Sequence, residues 1–136
     1  MLDIAEHQAD VPVALRSVAE RQAISESYLE QLFLSLKKAG LITGVRGARG
    51  GYALAREPGK ITIIEVLRAL EGPIAPVECV NEESREEKCS NSSNCAAQIL
   101  WRRLRDSMVA VLETTTLGDL LNESKRIKEK DLIFKL

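Results

Sequence analysis

The apolar positions of this chain change period several times, and each change marks an element. In the opening MLDIAEHQA, Leu2, Ala5 and Ala9 fall at helical spacing with no capping residue ahead of them, so the stretch reads as the end of a helix rather than its start. ALRSVAERQAI carries Leu15, Val18, Ala19 and Ala23 at helical spacing. Ser25 and Ser27 follow, both good helix starters, and Glu30 stands three positions after Ser27 to complete a capping box. The helix they begin has its stripe at Leu29, Leu32, Phe33, Leu36 and Ala39, and Gly40 is placed to stop it. Two short helices joined by a tight turn outline a helix-turn-helix.

LITGVRGARGGYALA then predicts a β-branched strand from Leu41 to Arg46, a glycine-rich turn around Arg49, and a return strand from Tyr52 to Ala55. Gly47, Gly50 and Gly51 permit positive φ and close backbone approach, and an arginine at such a tip can enter a minor groove. Taken alone, the hairpin is equally a loop with incidental surface arginines. Directly after a helix-turn-helix, a DNA-binding wing is the stronger reading. ITIIEVLRALEG is a further amphipathic helix with Ile64, Val66, Leu67 and Leu70 inward, ended by Gly72 and Pro73. A polar loop follows to Asn94, which is placed to cap a long helix opened by Cys95. That helix carries Ile99, Leu100, Trp101, Leu104, Met108, Val111 and Leu112 on a broad apolar face. A face so wide at the end of a small domain needs a partner. Trp101 reads as core, Arg102, Arg103 and Arg105 as a solvated face, and Thr116 with Asp119 as the cap of a short last helix. NESKRIKEKDLIFKL reads as a weakly ordered, charged tail. The expected fold class is mainly α with a small β-hairpin.

Composition adds limits. With 136 residues and 45% hydrophobic content the chain has enough apolar mass for one core, with an appended helix. No apolar run approaches the length of a membrane span, and the N-terminus lacks a signal pattern, so a cytoplasmic protein without a membrane partner is expected. The net charge of −1 argues weakly against nucleic acid. The average hides a segregation: Lys37, Lys38, Arg46, Arg49, Arg56 and Lys60 face the single acid Glu57, whereas Glu78, Glu82, Glu83, Glu86 and Glu87 outnumber Arg85 and Lys88 in the later loop. One segment suits an anion and the other repels it.

Cys79, Cys89 and Cys95 are the only cysteines. Three cannot all pair within one chain, and cytosolic thiols stay reduced, so a disulfide framework is not expected. Their spacing is not that of a zinc ribbon, and the single histidine, His7, lies far off between Glu6 and Gln8 as a surface or packing residue. An iron-sulfur cluster, a cluster-free thiol switch, or inert or zinc-binding thiols remain. No nucleophile with a positioned base and no phosphate-cradling loop ahead of a helix is present, which argues against an enzyme and against a small-molecule substrate.

The stretches VAERQAISESYLEQLFLSLKKAGLITGVRGARGGYALA, ALEGPIAPVECV and CSNSSNCAAQILWRRLRDSM resemble the IscR-like, iron-sulfur-sensing branch of the BadM/Rrf family of bacterial transcription regulators, over residues 1 to 121. The resemblance implies a winged helix-turn-helix over residues 1–72, a cysteine-bearing cluster loop over 73–94, and a dimerisation helix with a short following helix over 95–121, leaving 122–136 as the tail. Double-stranded promoter DNA and a second copy of the chain become the expected partners. Ser25, Ser27, Tyr28, Glu30 and Gln31 fall at the start of the second helix of the motif, where an inserted helix meets base edges and phosphates. Position by position, the resemblance implies base reading by Glu30 and Gln31 and groove contact by Arg46 and the tip residue Arg49, with Tyr52 in the DNA-facing set. The capping box is the competing use of Glu30. Leu100, Leu104, Met108, Val111 and Leu112 become the dimer interface.

Cys79, Cys89 and Cys95 become ligands of a cluster, a two-iron two-sulfur form being favoured over a four-iron one. Two departures from the family pattern stand out. Relatives begin with a further basic, hydroxyl-rich segment, so the N-terminus is expected to be truncated. Gln98 occupies the position where relatives carry a histidine ligand, which leaves the fourth ligand open. The expected function is a DNA-binding regulator, a repressor, sensing cluster status or oxidative and nitrosative stress. The alternative is a cluster-free family regulator acting as a thiol redox switch or a repressor of cysteine metabolism.

Overall fold

In the computed structural model, which describes residues 1–81, 83, 89–90 and 94–135, the chain begins with a short helix α1 (Leu2–His7). Asp3 and Ile4 are its buried positions, Leu2 and Ala5 are half-buried against the same core, and Ala9 lies exposed beyond the helix end. Helix α2 (Leu15–Gln22) buries Val18 and Ala19. It ends at Ala23, whose φ of 52° is left-handed, and the backbone N–H of Ile24 closes onto the Ala19 carbonyl at 3.1 Å.

This early turn moves the cap of the next helix. Helix α3 (Glu26–Lys38) is capped by Ser25, whose hydroxyl accepts from the Tyr28 backbone N–H at 3.3 Å. The Ser27–Glu30 capping box is therefore corrected: Ser27 already lies inside the first turn, and Glu30 is released from that duty. Leu29, Phe33 and Leu36 form the buried stripe of α3 as its periodicity predicts.

Strands β1 (Ile42–Val45) and β2 (Gly51–Leu54) pair antiparallel, Ile42 opposite Leu54 and Val45 opposite Gly51. Both are offset from or shorter than their sequence patterns by a residue or so. The hairpin gains a partner that the pattern did not reveal, since Val13 and Tyr52 exchange backbone hydrogen bonds of 2.8 Å each. Gly51 makes this possible: a Cβ there would stand 2.4 Å from the Val13 carbonyl oxygen.

Helix α4 (Ile63–Glu71) starts on a capping box between Thr62 and Glu65 and buries Ile64 and Val66, while Gly72 ends it at a φ of 81°. After a 3-10 turn at Glu78–Val80 comes helix α5 (Ala96–Thr114). Its N-cap is Cys95 itself and not Asn94, which stands exposed in the preceding bend. Helix α5 packs on α4 and on the 78–80 turn, yet none of its residues is fully buried.

Helix α6 (Leu117–Phe134) brings the chain back. Thr116 and Asp119 form its capping box, Leu117 is 1% exposed, and the Leu117 N–H bonds the Ile61 carbonyl at 2.8 Å. Farther along, Glu6 on α1 accepts from Ser124 and, at 2.9 Å, from the Lys128 ammonium. The stretch expected as a short helix and a weakly ordered tail is thus one helix of 18 residues. An anchored first turn removes the cost of nucleation, and the Lys and Glu residues that make the sequence look like a tail are good helix formers. Ile4, Phe33, Leu36, Leu41, Ile42, Ile61 and Leu117 share one core between α1, α3, the hairpin and the root of α6. Among the described residues no helix is long and apolar enough to cross a membrane.

Candidate nucleic-acid interface and cysteine loop

Because Leu29, Phe33 and Leu36 turn one side of α3 into the core, the opposite side is left to solvent. Ser25, Ser27, Tyr28, Glu30 and Gln31 are all exposed there, and no other described side chain engages the Glu30 carboxylate or the Gln31 amide. An unengaged carboxylate and amide near a helix start can accept from a cytosine amine and pair with an adenine edge, respectively.

The hairpin is held at a fixed angle to this helix. Tyr52 lies edge-on to Phe33, with ring centroids 4.7 Å apart and planes at 83°. Tyr52 therefore differs from the other sequence-predicted DNA residues: it is half-buried, and its ring fastens the wing to α3. Arg46 and Arg49 stand exposed at the far end of the hairpin.

The basic segment is less uniform than its composition. Arg56 donates to the Glu65 carboxylate and to the Lys60 carbonyl, each at 2.9 Å, and Lys60 lies 3.7 Å from Glu57. The Thr62 backbone N–H and then the Arg56 guanidinium hold the Glu65 carboxyl below the usual range. Lys37, Lys38, Arg46 and Arg49 are exposed and form no ion pair among the described residues. Pairing of this kind has no signature in the sequence, since Arg56 and Glu65 are brought together only by the fold.

The cysteines lie on the segment joining α4 to α5. Cys79 is half-buried on the 78–80 turn, Cys89 is exposed, and Cys95 is half-buried as the N-cap of α5; none forms a disulfide. The turn bearing Cys79 is fastened to α5, because Val80 is 3% exposed and its carbonyl accepts from Arg105 at 2.7 Å. Arg105 is thereby corrected from a solvated residue to a link between loop and helix, with Asp106 as its ion-pair partner. The repulsive charge assigned to Glu82, Glu86 and Glu87, with Arg85 and Lys88, lies outside the described residues.

In chemical kind, three thiols suit an iron-sulfur cluster. In position they do not yet fit one: among the described residues no group of three His, Cys, Asp or Glu side chains is placed to hold a metal ion. His7 lies on α1, with its Nδ1 2.8 Å from the Asp3 carbonyl.

Sequence and structure comparisons agree on the lineage. The family described as Rrf2, iron-dependent transcriptional regulator, matches residues 1–123. The transcriptional regulator CymR of Bacillus subtilis is 42% identical over 120 residues, 88% of this chain and 80% of that protein. The transcriptional regulator IscR of Cronobacter sakazakii is 38% identical over 131 residues, 96% of this chain and 78% of that one. Among solved structures, CymR, the global cysteine regulator of B. subtilis, superposes with a TM-score of 0.72 at 42% identity, covering 90% of this chain and 87% of that one. IscR of T. potens gives 0.71 at 40% identity, covering 90% and 78%. With its helix-turn-helix and hairpin wing, the chain belongs to the Rrf2 family of DNA-binding transcriptional regulators and has their winged-helix fold.

Proposed function

We propose that this regulator is a homodimeric repressor that reads promoter DNA through α3 and the wing and senses iron-sulfur supply, or oxidative and nitrosative stress, through Cys79, Cys89 and Cys95. The observation that carries the proposal is the placing of all three cysteines, none of them in a disulfide, on the one segment that joins the DNA-binding body to α5. Those thiolates would hold a two-iron two-sulfur cluster, which supplies iron-thiolate bonds open to oxidants, with a fourth ligand from outside the triad. Since Cys79 sits on a turn fastened to α5 and Cys95 caps that helix, any rearrangement that gathers the cysteines alters how α5 leaves the body. Glu78, Glu82, Glu83, Glu86 and Glu87 on this segment would repel phosphate, so its coupling to DNA is indirect.

A second reading has an observation of its own. The described cysteines are not gathered, and a relative at 42% identity is named a global cysteine regulator, which fits a cluster-free thiol switch or a repressor of cysteine metabolism.

Anaerobic purification, a visible absorption spectrum and iron and sulfide analysis separate the two. The cluster reading expects a coloured protein whose iron, sulfide and colour are all lost in the Cys79/Cys89/Cys95→Ala variant. It also expects DNA affinity to change by about 5- to 150-fold between loaded and empty protein. A colourless, iron-free protein that still binds promoter DNA supports the second reading.

A further inference from the structure

Leu34 has no role in the fold. It is 70% exposed in the middle of α3, whereas Leu29, Leu32, Phe33 and Leu36 of the same helix point into or towards the core. At about 100° per residue, Leu34 lies roughly 20° from Ser27 around the helix axis and falls between Glu30 and Gln31, well away from the buried line of Leu29, Phe33 and Leu36. It is thus central to the face that bears the base-reading chemistry, one turn beyond Glu30, with Lys38 continuing the same line. The side chains around it are polar or basic, so a second apolar protein surface finds no continuous patch there.

We propose that Leu34 packs against a thymine methyl group in the major groove and is a specificity-determining residue of this regulator. The inference rests on α3 being the reading helix. In the major groove the thymine C5-methyl is the apolar feature that marks its base pair, and an aliphatic side chain is its natural partner. The rise of about 6 Å from Glu30 to Leu34 spans roughly two base-pair steps, so the methyl lies beside the bases that Glu30 and Gln31 meet and not on them. Glu30 and Gln31 then supply hydrogen-bond discrimination, and Leu34 supplies discrimination by shape and desolvation.

The test uses a pool of random-sequence duplexes. Wild-type protein and Leu34→Ala each select their preferred sites, and the selected duplexes are resynthesised with uracil replacing thymine one position at a time, which removes only the methyl group. Wild type is expected to lose about 3- to 5-fold in affinity at one thymine of the recognised sequence, the effect of one buried methyl. Leu34→Ala should bind the thymine and uracil forms of that site equally, keep an unchanged salt slope, and retain its helical circular dichroism, as the side chain is not packed. Wild-type indifference to uracil at every position, with selective DNA binding intact, overturns the role of Leu34 alone. A methyl effect of the same size in Leu34→Ala overturns it equally. Failure of the wild type to select any sequence removes the DNA-reading role of α3, and this inference with it.

Discussion

Asp3 is a buried carboxylate, 7% exposed, met chiefly by Arg21 and Gln22 at the end of α2, with His7 Nδ1 3.6 Å away. Arg21 donates to both of its oxygens, Nη2 to Oδ1 at 2.6 Å and Nε to Oδ2 at 3.0 Å, and the Gln22 amide adds a bond of 2.8 Å. The Arg21 bonds, joined by that of Gln22, hold the Asp3 carboxyl below the usual carboxylate range. The pair fixes α1 to the end of α2, immediately before the left-handed Ala23 that aims α3. Asp3→Ala removes these charge-assisted bonds from the α1–α2 junction and should cost about 1–3 kcal/mol of stability, measured by urea denaturation at neutral pH. The pH dependence follows from the sign of the shift. With a folded-state pKa below the unfolded one, the pair contributes fully above the unfolded value near pH 4, and the contribution is lost as pH falls through the lower folded value. Glu6 shifts in the same direction because Ser124 and Lys128 donate to it. Acid titration should therefore show a steeper loss of stability below about pH 4 in wild type than in Asp3→Ala. Equal acid profiles would show that the pair does not secure the α1–α2 junction.

The hairpin illustrates how an element acquires a function from what it is attached to. On its own, a two-stranded ribbon of four residues per strand is marginal. Here the Val13 bridge extends it on one edge and the Phe33–Tyr52 contact seats it on α3, so the wing tip is held relative to that helix. Arg46 and Arg49 are consequently delivered to a defined place. Replacing both by alanine should weaken operator binding and lower the slope of log affinity against log salt by about 1 for each phosphate no longer neutralised. Titrations at several salt concentrations check this, with Arg56→Ala as a contrast, since Arg56 is committed to Glu65 and should leave the slope unchanged. A double variant with wild-type affinity and slope would remove the wing from the DNA interface.

At the scale of the whole molecule, the body and α5 have different relations to solvent. Helices α1 to α4 and the root of α6 share a core, whereas α5 exposes Leu100 at 60%, Leu104 at 42%, Met108 at 38% and Val111 at 63%, with Leu112 half-buried beside them. These residues follow each other at three or four positions along the helix, so they make one stripe and not scattered surface residues. In the homodimer proposed above, a two-fold partner would cover such a stripe with a copy of itself and would space two DNA-binding bodies for two half-sites. Leu104→Glu or Met108→Glu should shift sedimentation at micromolar concentration from dimer to monomer and reduce cooperative DNA binding in parallel, with the body still folded. A wild-type protein that sediments as a stable monomer would leave the stripe to some other partner.

What the sequence determined by itself was whatever depends on local geometry. The 3.6-residue period of α3 and α4, the alternation and glycines of the hairpin, and the Thr116–Asp119 cap were legible because a helix or strand imposes its own spacing on the residues that must face inward. Leu34 could have been found in the same way, since its position off the stripe of α3 is already fixed by the helical period. What only tertiary structure decided was which of several competent residues is used. Ser25 caps α3 in place of Ser27 because Ala23 turns the chain early, and Cys95 takes the cap expected of Asn94. The last 18-residue helix exists where a tail was expected because Ile61 and Glu6, far away in sequence, anchor it. Arg56 and Arg105 leave the pool of free cations for the same reason: their partners, Glu65 and the Val80 carbonyl, come near only when the chain is folded. The three cysteines show the division most plainly. Their number and order are written in the sequence, but bringing three thiols to one point demands closure of the loop between α4 and α5, a cost in chain entropy that only long-range contacts or a bound group can offset.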